Sequence, residues 1–223
     1  MKRRAWIGST LLIVVACGPS AATTTVSTTI PLPEPTTSIV ATTSTATLEP
    51  APWAGAALPA SGAPPILVDQ WVSADNRSTC SMLAPDGGIE GATPRAANFA
   101  GGWAVAWDAP DGPGMAADGS YCENCGRSAV GVAGTGVGAQ EAVIRSWPNV
   151  IEYDDGSLVG YGVEGSIGAE VVVDDPFTSS GASPTQLAYI SLPASDCLYN
   201  VWSRRSESEL LDVIDRLRLV EAP

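Results

Sequence analysis

Apolar positions recur with different spacings along the chain, and each spacing predicts a different element. Between residues 61 and 223 the pattern is short apolar runs broken by Gly, Pro, Asp and Ser. Ile66-Leu67-Val68, Gly102-Trp103-Ala104-Val105-Ala106-Trp107, Ala129-Val130-Gly131-Val132 and Glu170-Val171-Val172-Val173 each predict a strand. Val150–Tyr153 and Ser157–Tyr161 flank Asp154-Asp155-Gly156, which predicts a hairpin because the glycine supplies the positive φ of a tight turn. Leu187–Leu192 and Cys197–Trp202 flank Pro193-Ala194-Ser195-Asp196 and predict a second. Then the period changes. Leu210, Val213, Ile214 and Leu217 recur at helical spacing, Ser206 and Glu209 form a capping box, and Glu207 ahead of Arg216 and Arg218 suits the helix dipole. The stripe on this helix must bury, and the hairpin before it is the nearest surface. The expected fold is α+β, an antiparallel β-sheet with a C-terminal helix packed on it.

The N-terminal third follows another pattern. Lys2, Arg3 and Arg4 precede an apolar run from Ala5 to Ala16, interrupted by Gly8, Ser9 and Thr10, with small residues just before Cys17. That is the layout of an export signal. The run falls short of the roughly 18 to 20 residues a spanning helix needs, and no later run approaches it. Residues 17–60 are Thr, Ser, Ala and Pro with few large apolar side chains, too few to offset the entropy of ordering. They predict a flexible stalk with an end-to-end distance on the order of 40 Å, of a composition that often carries O-linked sugar. The organisation is then a signal peptide at 1–16, a stalk at 17–60 and a single globular β-rich domain at 61–223.

Val14-Val15-Ala16-Cys17 resembles the lipobox of bacterial lipoproteins. The resemblance implies diacylglyceryl transfer to the Cys17 thiol, cleavage after Ala16 and, in some lineages, a further acyl chain such as palmitate. Two or more chains give stable attachment, so the implied location is the extracytoplasmic face of the cell membrane or envelope. At the other end, Gln186–Val220, a hairpin feeding a helix that ends in Leu-Arg-Leu, resembles the C-terminal part of PsbP-like domains and of several lipoprotein families without assigned activity. The run at 102–107 resembles an early strand of such domains, whereas the Cys122-Glu123-Asn124-Cys125 insertion is foreign to their pattern. The likeness implies a helix across an antiparallel sheet and a binding or accessory role.

Export changes how charge is read. Without Lys2, Arg3 and Arg4 the chain has no lysine, and eight arginines face 24 acidic residues. Such a surface repels nucleic acid and anionic lipid headgroups. The membrane partner is therefore reached through lipid, and the ligand expected is a protein or a glycan. Histidine is absent from the sequence, which removes Ser-His-Asp and Cys-His catalysis and histidine-ligated metals. Absence of lysine removes Ser-Lys and Schiff-base chemistry.

Four cysteines remain after Cys17: Cys80, Cys122, Cys125 and Cys197. An even count in an exported domain predicts two disulfides, with three pairings open. One joins Cys80 to Cys197 and leaves Cys122 and Cys125 to each other. The alternative staples the Cys-x-x-Cys loop to both ends of the domain. Cys122 and Cys125 are also the candidates for a thiol-disulfide oxidoreductase, although Asp118 and Glu123 nearby oppose a thiolate, and for one knuckle of a zinc site. Carboxylate chemistry, such as a cell-wall hydrolase, draws on Asp108, Asp111, Glu141, Glu152, Asp154, Asp155 and Glu170. Asp108–Asp111 is a candidate calcium loop without the full EF-hand run. Gly131, Gly134, Gly136 and Gly138 lack the spacing of a phosphate-binding loop and predict a turning loop. Trp71, Trp103, Trp107, Trp147 and Trp202 are candidates for a sugar-binding face, with Trp103 and Trp107 on one side of their strand and core packing competing for all of them. No cofactor is expected.

Overall fold

A computed structural model describes residues 48–98, 101–118, 120–164, 185–193 and 195–223. The signal at 1–16, Cys17, the stalk as far as 47, the strand expected at Glu170–Val173 with its carboxylate Glu170, and Ala194 lie outside the described residues.

The elements along the chain are helix α1 (Pro65–Ser73), strands β1 (Met82–Pro85), β2 (Thr93–Ala96), β3 (Trp103–Asp108), β4 (Gly114–Met115), β5 (Tyr121–Cys122) and β6 (Val130–Gly134), helix α2 (Glu141–Ile144), strands β7 (Asn149–Glu152), β8 (Leu158–Val163), β9 (Gln186–Ser191) and β10 (Leu198–Ser203), helix α3 (Glu207–Asp215) and strand β11 (Leu217–Val220). Seven strands form one antiparallel sheet in the order β2-β3-β6-β10-β9-β8-β7, and β1 pairs with β11, β4 with β5. The fold is α+β, mostly antiparallel sheet, braced by a disulfide between Cys80 and Cys197 with their Cα atoms 5.0 Å apart. That bond closes a loop of 117 residues in sequence separation and, in the chain-entropy picture, stabilises by on the order of 5 kcal/mol.

Both expected hairpins form. In β7–β8, Gly156 turns with φ +82°, and the Asp155 carboxylate accepts from the Ser157 N–H at 2.8 Å. In β9–β10, Leu198 pairs with Ser191 and Ser203 with Gln186. The strands expected at 102–107 and 129–132 are β3 and β6. Gly131 and Gly134, expected in a turning loop, lie inside β6 because each stands opposite a tryptophan. A Cβ at Gly131 would overlap the Trp202 indole, and one at Gly134 the Trp103 indole.

One face of the sheet carries the main core. Trp103, Val105 and Trp107 of β3, Val132 of β6, and Tyr199 and Val201 of β10 pack there against Leu67 of α1 and Leu210, Val213 and Ile214 of α3. Helix α3 starts as its capping box requires, the Ser206 side chain accepting from the Glu209 N–H at 3.1 Å. It stops at Asp215 instead of running through the Leu-Arg-Leu segment. Leu217–Val220 becomes strand β11, because β1 offers a backbone ladder there while Leu217 still fills the core. Ile66-Leu67-Val68, expected as a strand, belongs to α1. Pro65 opens that helix, and Leu67 and Trp71, one turn apart, both join the core.

The folded part also begins earlier than residue 61. Trp53 is 4% exposed, donates from Nε1 to Ser157 Oγ at 3.2 Å and meets Tyr153 edge-on at 5.4 Å. Leu58 extends the β1–β11 pair, its N–H donating to Leu219 O at 2.8 Å and its carbonyl accepting from the Glu221 N–H at 2.9 Å. Thr45–Pro223 is one compact unit. The Thr/Pro texture of the stalk hides this boundary, since two anchoring side chains suffice to hold the strap.

Candidate functional site

The second face of the sheet is made by the alternate residues of the same strands. One rung of its register runs Ala106, Gly131, Trp202, Leu187, Gly162, and the next runs Ala104, Ala133, Asn200, Tyr189, Gly160. Ala104, Ala106 and Ala133 are buried with Trp202 in a small cluster, and a trough of about 400 Å³ lies on the same face beside it. Leu187, Tyr189 and Trp202 line it, with Arg95, Arg204 and Glu164 also contributing. Short helix α2 places Ile144 and Trp147 beside the far end, where Trp147 meets Tyr189 edge-on at 5.2 Å.

Ser128 ties one wall together. It is the one non-glycine residue with positive φ among the described residues, at +53°, a conformation that costs a serine roughly 1 to 2 kcal/mol. Its own polar groups hold it there. The backbone N–H donates to Asp108 Oδ1 at 2.7 Å, the carbonyl accepts from Trp202 Nε1 at 3.3 Å and from Arg204 Nη1, and the hydroxyl accepts from Arg95 Nη2. Arg95 Nε in turn lies 2.9 Å from both Asp108 oxygens. The wall is thus pinned by charge-assisted bonds, which are shorter and stronger than neutral ones.

Two polar groups facing the trough are less well provided for. Asn200, 1% exposed, has its Oδ1 buried without a hydrogen-bond partner among the described residues. Leaving a buried acceptor unmet costs about 1 to 3 kcal/mol. Arg204 makes no ion pair among the described residues, and desolvation pulls its guanidinium below the ordinary value, with the Glu164 carboxylate opposing. Desolvation also pushes the Tyr189 phenol up, and Glu164 adds to it. A second hollow, about 680 Å³, lies between α3 and the Asp86–Glu90 turn. Its arginines are already engaged, Arg205 with Glu209 and Arg216 with Asp212, both at 2.8 Å.

The sequence candidates scatter. Asp108 serves Arg95 and Ser128, so the Asp108–Asp111 loop does not present it to calcium. Glu141 and Glu152 both pair with Arg145, at 2.7 and 3.1 Å. Asp154 and Asp155 build the β7–β8 turn. Among the described residues no group of three or more Cys, Asp or Glu is arranged to hold a metal. Cys122 ends β5 and Cys125 follows one turn later, both half-buried thiols and neither at a helix start. Burial pushes the Cys125 thiol up, and its hydrogen bond with Cys122 adds to the rise, the opposite of what a reactive thiolate needs. Trp103 and Trp107 are core residues, and Trp71 donates to Cys80 O at 2.8 Å. Trp147 and Trp202 are the tryptophans on the trough's face.

Sequence reasoning missed Arg95, Ser128, Leu187, Tyr189, Asn200 and Arg204. One signal was there: Asn200 interrupts an apolar strand run, and Trp202 and Arg204 share its parity. Compared with family models, with curated proteins and with solved structures, the chain finds no match.

Proposed function

We propose that the chain is an exported lipoprotein, acylated on Cys17 and held at the extracytoplasmic face of the cell membrane or envelope, whose stalked domain is a non-catalytic binding module. The observation that carries the binding reading is the trough. Its floor of Leu187, Tyr189 and Trp202 lies beside a buried acceptor, Asn200 Oδ1, that lacks a protein partner among the described residues. Concave sites that mix an apolar floor with a few unmet polar groups are the usual form of small ligand sites.

Location is supported by the coincidence of basic head, apolar run and Cys17 and by the Cys80–Cys197 bond, a type that persists in oxidising compartments. A hydrolase needs two acids converging on one bond, whereas Glu164 is the one carboxylate among the described residues lining the trough. The raised Cys125 thiol argues against thiol exchange.

Mass spectrometry of the N-terminal peptide from fractionated cells tests the anchor. The expected result is a mature chain beginning at diacylglyceryl-Cys17 in the membrane fraction, with Cys17→Ala left unprocessed. Intact precursor in the soluble cytoplasm, its Cys17 thiol unmodified, overturns the reading.

A further inference from the structure

Three successive rungs of the sheet's second face line the trough, and each brings a different chemistry. On the first, Tyr189 of β9 stands opposite Asn200 of β10, and on the second Leu187 stands opposite Trp202. The third lies just past the strand ends, where the Glu164 N–H donates to Thr185 O at 2.9 Å and the Arg204 N–H to Ala129 O at 2.8 Å. Strand rise sets the first and third rungs about 14 Å apart. Trp202 is packed with Ala104, Ala106 and Ala133, so the apolar surface open to a ligand is that of Leu187 and Tyr189, both part-exposed. Trp147, edge-on to the Tyr189 ring at 5.2 Å, holds that ring in place. Beside it, Asn200 presents a buried acceptor, Oδ1, without a partner among the described residues. At the far end Glu164 is an exposed carboxylate with no ion pair among the described residues, and Arg204 engages Ser128 O through Nη1. The charges cancel: Asp108 holds Arg95 at 2.9 Å, and Glu164 lies within electrostatic reach of both Arg204 and the Tyr189 phenol.

An ion gains little where opposing charges cancel, and an alkyl chain would leave Asn200 Oδ1 and Glu164 without donors. What the lining asks for is a neutral body with one apolar side and several hydroxyls, each able to donate and accept. Sugar rings have that form. We propose that the trough binds a neutral glycan segment, two linked sugar rings lying along β9. The C–H face of one ring covers Tyr189 and Leu187 while its hydroxyl or acetamido N–H donates to Asn200 Oδ1. Hydroxyls of the other donate to Glu164 and accept from Arg204. Two rings are needed because the polar groups stand at opposite ends of the trough, farther apart than one ring reaches. The trough's volume, about 400 Å³, lies within the range of small-ligand sites. This rests on the reading of the domain as a binding module and names its ligand class.

Four kinds of probe test the ligand class on the full chain: the neutral disaccharides diacetylchitobiose, cellobiose and maltose, the single ring glucose, the charged disaccharide cellobiouronic acid, and the peptide trialanine. Binding is measured by calorimetry, and fluorine signals from fluorotyrosine-labelled protein locate it, the Tyr189 signal being assigned by its loss in Tyr189→Phe. At least one neutral disaccharide is expected to bind about tenfold more tightly than glucose, with the Tyr189 signal moving most. Cellobiouronic acid should bind no more tightly than cellobiose. Asn200→Leu should weaken the disaccharide about tenfold, the equivalent of one hydrogen bond, and Glu164→Gln several-fold. Tyr189→Phe should keep binding and Tyr189→Ala should lose it. If Tyr189→Ala does not fold, the wild-type probe ratios and Asn200→Leu still decide. No binding by any neutral disaccharide, a preference for the charged one, unchanged affinity in Asn200→Leu, or a still Tyr189 signal overturns the proposal. Trialanine moving the Tyr189 signal where sugars do not overturns the glycan and leaves the binding module standing. None of these results touches the test of Cys17, so failure of the ligand class and failure of the anchor remain distinct.

Discussion

The two faces of the seven-stranded sheet come from alternate residues of the same strands, yet they are filled by opposite rules. On the packed face the rung Trp103, Gly134, Tyr199, Ile190, Val159 carries bulk on nearly every strand, and α1, α3 and the β1–β11 pair close over it. On the trough face the neighbouring rung Ala104, Ala133, Asn200, Tyr189, Gly160 is small on three strands and polar on the central one. The difference teaches that one side holds the main core while the other is packed in two small clusters around a trough, beside which Asn200 Oδ1 has no hydrogen-bond partner among the described residues.

That contrast can be broken most severely on the packed side. Trp103→Ala, removing a side chain with no exposed surface, should cost about 3 to 5 kcal/mol, read as a lower urea midpoint at unchanged slope. A loss under 1 kcal/mol would mean that the packed face does not carry the fold.

High pH probes the same side. Desolvation first, then the carboxylates of Asp215, Glu49 and Asp155, push the buried Tyr153 phenol up to about 12. An unfolded tyrosine ionises near 10. Stability contributed by the neutral phenol is therefore intact below pH 10 and is lost as pH rises toward 12, by on the order of 2 to 3 kcal/mol. Denaturation curves across that window should show the fall in the wild type and a shallower one in Tyr153→Phe.

On the trough side, Gly131→Ala should cost about 1 to 3 kcal/mol through overpacking, because the new Cβ displaces the Trp202 indole. The Trp202 N–H signal should move with it, whereas the Trp103 signal on the opposite face should hold still. The smallest effect is the most telling. Asn200→Leu removes an acceptor that has no partner among the described residues, so it should stabilise the protein by about 1 kcal/mol. Stabilisation would show that the fold tolerates this asparagine at a cost. A destabilised Asn200→Leu would place the asparagine in the fold instead.

Much of the fold was legible in the sequence because its signals are local. The hairpins at Asp154–Gly156 and 193–196 and the start of α3 at Ser206 depend on turn and cap chemistry a few residues long, and they form where expected. The errors share one cause. Ile66–Val68 looked like a strand, Leu217–Leu219 like helix, and Trp53 and Leu58 like stalk, and in each case a partner distant in sequence overrode the local pattern. The trough was illegible for the same reason. Arg95, Ser128 and Arg204 meet only when β2, β6 and β10 come together, although the parity of Asn200, Trp202 and Arg204 foreshadowed it.

By itself, the sequence determined the alternation along each strand, the turns, the helix cap and the chemistry that absence of histidine excludes, all of which follow from backbone sterics and side-chain identity over short spans. The tertiary structure decided which alternate face became core, which cysteines were joined, and that Ser128 would be held at positive φ beneath two arginines. Those outcomes depend on which distant strands become neighbours, a matter of burying apolar surface across the whole domain.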